Sequence, residues 1–126
     1  MSGRYYVSAD QGRGAHWAFT ADDLIRTATE IRPDADVSAP FGPQGTIEIR
    51  LRGEQRSHSV LYHCAEPVLV FREQDEIVVP AAMVLHLLQR LAPEVGAVWF
   101  ADFEGVPHPL QVNSSVDDFV DDLLAE

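Results

Sequence analysis

A chain of 126 residues, 46% of them apolar and 23% charged, is long enough to bury about two thirds of its unfolded surface in one core and too apolar to stay disordered. Its single cysteine, Cys64, excludes an internal disulfide and suits a reducing compartment. A net charge of −11 argues against nucleic-acid phosphate and anionic lipid as partners, and for a basic protein surface.

RYYVSA (4–9) reads as a first strand, and DQGRGAHW after it as a loop punctuated by glycine. In FTADDLIRTATEIRP, Thr20 is a natural helix N-cap, Asp23 stands where a near capping box needs it, and Phe19 is placed to staple onto Leu24. Leu24, Ile25, Ala28 and Ile31 fall on one stripe, and Pro33 ends the helix. Residues 33–45, rich in proline and glycine, form a loop.

TIEIRLR (46–52) alternates throughout, Ile47, Ile49 and Leu51 against Glu48, Arg50 and Arg52, as a half-buried antiparallel strand does. HSVLYHCA (58–65) and VLVFRE (68–73) follow after short connections, and the three strands read as a meander. PAAMVLHLLQRLAP is a helix opened by Pro80 at its first position and stopped before Pro93. It is apolar around most of its circumference, with only His86, Gln89 and Arg90 on a wet side, so it belongs centrally against the sheet. AVWFADF (97–103) is a strand, and VPHPLQV (106–112) an edge strand weakened by proline. Ser115 then caps a last helix. The order β-α-β-β-β-α-β-β-α predicts one α+β domain over residues 1–126, with a mostly antiparallel sheet of about five or six strands and three helices.

The opening MSGRYYVSADQ lacks the apolar core of a signal peptide, and the longest apolar run, IVVPAAMVL, falls far short of the roughly 18 residues of a membrane span. The expectation is a cytoplasmic protein that avoids membranes and nucleic acid.

Charge is unevenly spread. Residues 1–65 carry eight acids and seven arginines, whereas residues 66–126 carry twelve acids against Arg72 and Arg90 alone. The last helix holds the densest cluster. Val116, Phe119, Val120, Leu123 and Leu124 make its apolar stripe, and Asp117, Asp118, Asp121 and Asp122 fall together on another. The first two aspartates suit the positive end of the helix dipole. The second two gain little there, and the i,i+4 pairs Asp117–Asp121 and Asp118–Asp122 repel. Helix formation therefore accounts for half of these carboxylates. The rest are either a solvated face or a docking face for a basic partner.

Nothing predicts a cofactor, a metal or a catalytic residue. His63 and Cys64 are neighbours on a strand, so their side chains point to opposite faces and cannot pair. The five histidines lack ligand spacing, and GRG at 12–14 is not a phosphate loop. Asp102 points inward if Val98 and Phe100 face the core, and outward if Trp99 does; the cost of burying a lone carboxylate favours outward. Trp17 and Phe41 lie in loops, where an aromatic is either a binding anchor or a ring folded onto the core.

The stretch DEIVVPAAMVLHLLQRLAPEVGAVWF (75–100), with its acidic entry at Asp75 and Glu76, its "VP" helix start and its strand ending in an aromatic, resembles the C-terminal part of actinobacterial immunity proteins from polymorphic toxin systems. The early helix and the TIEIRLR…SVLYH meander fit the same pattern; the segment from 104 to 126 departs from it. The resemblance implies one-to-one neutralisation of a toxin domain without chemistry. Element order is also similar to that of secretion chaperones, which implies an effector-binding homodimer as the alternative. The residues expected to meet a protein partner are Asp117, Asp118, Asp121, Asp122, Asp75, Glu76, Phe41 and Trp17.

Overall fold

Alternation along the strands builds the layers. In the computed structural model, which describes residues 3–72, 76–102 and 105–125, Ile47, Ile49 and Leu51 are fully buried while Glu48, Arg50 and Arg52 turn the other way. Strands β1 (Arg4–Ala9), β2 (Asp36–Val37), β3 (Thr46–Arg52), β4 (Ser57–His63), β5 (Val68–Arg72), β6 (Ala97–Ala101) and β7 (His108–Leu110) form one sheet of seven, antiparallel at every pairing. The α+β class is as expected, with one strand more. The extra strand, β2, is a two-residue edge piece pairing with Arg50 and Ile49, too short to carry any periodicity.

The strand order is β2-β3-β4-β5-β1-β6-β7. The meander runs from β2 to β5, and β1 closes against β5 on one side and β6 on the other. Both edge strands are short, and β7 carries Pro109, which limits further pairing at that edge.

Three helices cover one face: α1 (Ala21–Ile31), α2 (Val78–Leu91) and α3 (Val116–Leu124), with α2 in contact with both others. Seven residues of α2, from Pro80 to Leu88, are buried. That helix begins two residues before the expected start, so Pro80 is its third residue and not its first. The position is still in the first turn, where a backbone N–H has no partner within the helix to lose; the first α-type bond runs from the Ala81 N–H to the Ile77 carbonyl.

Polar side chains fix the helices to one another and to the sheet. The α1 cap is a complete capping box: Thr20 Oγ1 accepts the Asp23 N–H at 3.1 Å, and Asp23 Oδ2 accepts the Thr20 N–H at 3.0 Å. These bonds, with Arg26 adding to them, hold the Asp23 carboxyl below its ordinary value. Arg90 Nη2 donates to Glu30 Oε1 at 2.6 Å, linking α2 to α1. Gln89 Nε2 donates to the carbonyls of Val112 and Ser114, which sets the approach to α3. The Tyr5 hydroxyl donates to the Leu123 carbonyl at 3.2 Å, holding the end of α3 over β1.

Packing of α2 dominates stability, so Leu85→Ala, at a fully buried site, is expected to cost about 2–5 kcal/mol and Thr20→Ala about 1 kcal/mol. Urea titrations of the two variants beside the parent check the ranking, and equal losses contradict it.

Candidate functional site

α3 is capped by Ser115, whose Oγ accepts the Asp118 N–H at 3.1 Å. Phe119 and Leu123 are buried against the core, which turns the opposite side of the helix to water. Asp117, Asp118, Asp121 and Asp122 are all exposed, and among the described residues none of the four makes an ion pair. The cluster is therefore one continuous anionic surface, open to a partner and uncompensated by the chain's own arginines.

The acidic entry to α2 is a different object. Asp75 lies outside the described residues. Glu76 is folded inward: its side chain is 16% exposed, and its backbone sits at φ 62°, the left-handed region that non-glycine residues rarely adopt. That geometry aims the carboxylate at the β3–β4 hairpin. Oε2 accepts the Glu54 N–H at 2.7 Å, while Oε1 accepts the Gln55 N–H at 3.2 Å and meets His58 Nε2 at 3.1 Å. An ionised carboxylate only accepts, which places the proton on Nε2 of the buried imidazole. The His58 bond, followed by the two backbone donors, holds the Glu76 carboxyl below its ordinary value. Gly53 lies beneath the pair: a Cβ there would meet Glu76 Oε1 at 2.6 Å, His58 Nε2 at 2.7 Å and the Arg56 carbonyl at 2.9 Å. Glu76 thus acts as a clasp on the hairpin and has no carboxylate oxygen left unbonded for a partner.

The two loop aromatics part company. Phe41 is 53% exposed on the 38–45 loop, which is closed by reciprocal backbone bonds between Phe41 and Thr46. Trp17 is 9% exposed, packed with Phe19 and Tyr62 at centroid distances of 5.6 and 6.3 Å. Burial wins for Trp17 because three aromatic rings together remove far more apolar surface from water than one exposed ring would gain from a partner. Trp17 is therefore a core residue, and the expectation of an anchor there does not match its position.

Among the described residues, the polar side chains on the outer face of β3 and β4 bond one another. His63 Nδ1 bonds Thr46 Oγ1 at 2.8 Å, and the Ser59 hydroxyl donates to Glu48 Oε2 at 2.8 Å, so no serine–histidine bond forms on that face. His58 is on the opposite, buried face. Trp99 faces the helices, and Asp102 is accordingly exposed, its Oδ1 accepting the Arg4 backbone N–H at 3.1 Å. Cys64 packs beside Gly45, and burial raises its thiol pKa, the reverse of what a nucleophile needs. Burial first, then the Cys64 charge, pushes the Tyr62 phenol up to about 12. No three His, Cys, Asp or Glu side chains converge as metal ligands do among the described residues, and no described helix is long and apolar enough to cross a membrane.

A concavity of about 710 Å³ lies on the sheet face away from the helices, between Arg4, Tyr6, Leu61, Glu66, Val70 and Arg72. No residue of that face is singled out by the sequence as a contact, although the spacing Val68, Val70, Arg72 puts two apolar residues and a base on one side of β5, with Glu66 in the turn before it. No protein-family model, curated protein or solved structure matches the chain.

Because the fold lowers the Glu76 pKa, its ionised form supports the native state above the ordinary carboxylate range. That support is lost as pH falls through the lowered value. Glu76→Gln should therefore lower stability at neutral pH and flatten the acid limb of a stability–pH curve; an unchanged acid limb contradicts the clasp. Gly53→Ala, which forces the pair apart, should cost about 1–3 kcal/mol by chemical denaturation.

Proposed function

We propose that the chain is a non-enzymatic, cytoplasmic protein-binding domain that docks a basic partner on the acidic face of α3, in the manner of an immunity protein occluding a toxin domain. One observation carries this reading: the four α3 carboxylates are exposed and unpaired among the described residues, although Arg13, Arg26, Arg32, Arg50 and Arg90 each sit within 4.0 Å of a carboxylate elsewhere. Like charges at i,i+4 cost the helix a few tenths of a kcal/mol per pair. A cationic surface laid over them removes that repulsion and replaces it with attraction. Such a face also steers a basic partner into place, raising the association rate at low ionic strength more than it raises final affinity.

Phe41, exposed on its loop, supplies an apolar anchor of the kind that dominates contact energy. A dimeric, chaperone-like effector binder is the second reading, favoured by the apolar middle of the open sheet face.

The test is capture of the protein encoded beside this one, followed by stopped-flow association at rising salt. Association should slow with ionic strength. Replacing Asp117, Asp118, Asp121 and Asp122 by Asn should remove most of that dependence while shifting fold stability by no more than about 0.5 kcal/mol. No binding, or binding indifferent to salt, contradicts the proposal.

A further inference from the structure

The sheet face away from the helices is built unlike the rest of the molecule. Leu61 pairs with Val70, Val70 with Tyr6, and Tyr6 with Phe100 across β4, β5, β1 and β6. Alternation puts all four side chains on this face, where Tyr6 stacks on Phe100 at a centroid distance of 5.0 Å. Val68 and Val98 extend the patch by one line. Except for Val70, which is buried, these residues are only half-buried, so an apolar surface four strands wide meets water.

Charge is sorted along the strands on either side of the patch. Toward one end Arg4 and Arg72 stand directly opposite each other in register, with Arg50 and Arg52 on β3 at the same end. Like charges in that relation repel, yet among the described residues Arg4, Arg52 and Arg72 make no ion pair. Asp102 is nearby, but the bond it makes is to the Arg4 backbone. Toward the other end, in the turn before Val68, stands Glu66, exposed and likewise without an ion pair among the described residues. Four arginines against Asp36, Glu48, Glu66 and Asp102 make this face close to neutral among the described residues, in a chain of charge −11. Two copies repel over most of their surfaces and least over this one.

We infer that the open sheet face is a homodimer interface. Two copies pack sheet against sheet about a two-fold axis that lies between the sheets, runs perpendicular to the strands and passes over the Val7–Leu69 pair, midway along β5 between Arg72 and Glu66. The apolar patches meet at the centre, and Arg4 and Arg72 of each copy lie over Glu66 of the other. The arrangement is isologous, so every contact occurs twice. It also follows the ordinary physics of sheet-on-sheet packing, at about 10 Å separation. This interface is independent of what α3 binds, because the helices lie on the opposite side of the sheet.

Light scattering of the full chain over a concentration series should show a dimer. Arg72→Glu and Glu66→Arg should each raise the dimer dissociation constant by at least about ten-fold, the effect of losing charge complementarity at both ends. Far-UV circular dichroism confirms that each variant is folded. Mixing the two variants should regenerate a dimer, because Glu at 72 then faces Arg at 66 and the native pair survives at the other end. Combining both substitutions in one chain should do the same. A parent that stays monomeric at all concentrations overturns the inference, as does a dimer that either variant leaves unchanged or that mixing fails to restore.

Discussion

Burial of α2 sets the rest of the structure. Ala81, Met83, Val84, Leu85, Leu87 and Leu88 leave this helix almost no side to give to water, and a helix apolar nearly all round is stable only when covered on several sides. The sheet covers it below, and α1 and α3 cover its flanks. Each flanking helix turns its own apolar stripe inward to do so, Leu24 and Ala28 from α1, Phe119 and Leu123 from α3. The aspartates of α3 then have only the outside left. Their exposure is thus a consequence of how the core is filled, and the charge on that surface is what the sequence has placed there.

The same constraint polarises the molecule. All three helices are drawn to one side of the sheet, which leaves the other side bare. Carboxylates gather on α3, and Arg4, Arg52 and Arg72, which make no ion pair among the described residues, gather on the bare sheet face beside an apolar patch. The hairpin that carries much of this face is held by the Glu76 carboxylate reaching over from the start of α2. Helical layer and sheet face are therefore mechanically joined at the point where Gly53, His58 and Glu76 crowd together.

Much of this is legible in the residues and some is not. Strict alternation in TIEIRLR defines β3 from Thr46 to Arg52, and RYYVSA coincides with β1. Residue parity alone places His58 and His63 on opposite faces. The sheet order is not legible, because β1 reaches β5 and β6 through pairings between residues distant in sequence, which no local pattern encodes. Proline marks the start of α2 two residues too late because Pro80 is tolerated throughout a first turn, and not only at its first residue. The Glu76 clasp escapes a sequence reading for a similar reason: the acid is visible, but the left-handed backbone that turns it inward depends on a hairpin more than twenty residues earlier. The exposed aspartates of α3 need only helical periodicity, and it locates them.

Carboxylate footprinting tests the central claim most directly. The chain is modified with a carbodiimide and a small amine, alone and with a captured protein partner, and each labelled site is quantified by mass spectrometry. Modification of Asp117, Asp118, Asp121 and Asp122 should fall sharply in the complex, while Asp22 and Asp34, in and just after α1, keep their free rates. Unchanged labelling on α3 in a confirmed complex would contradict docking on that helix.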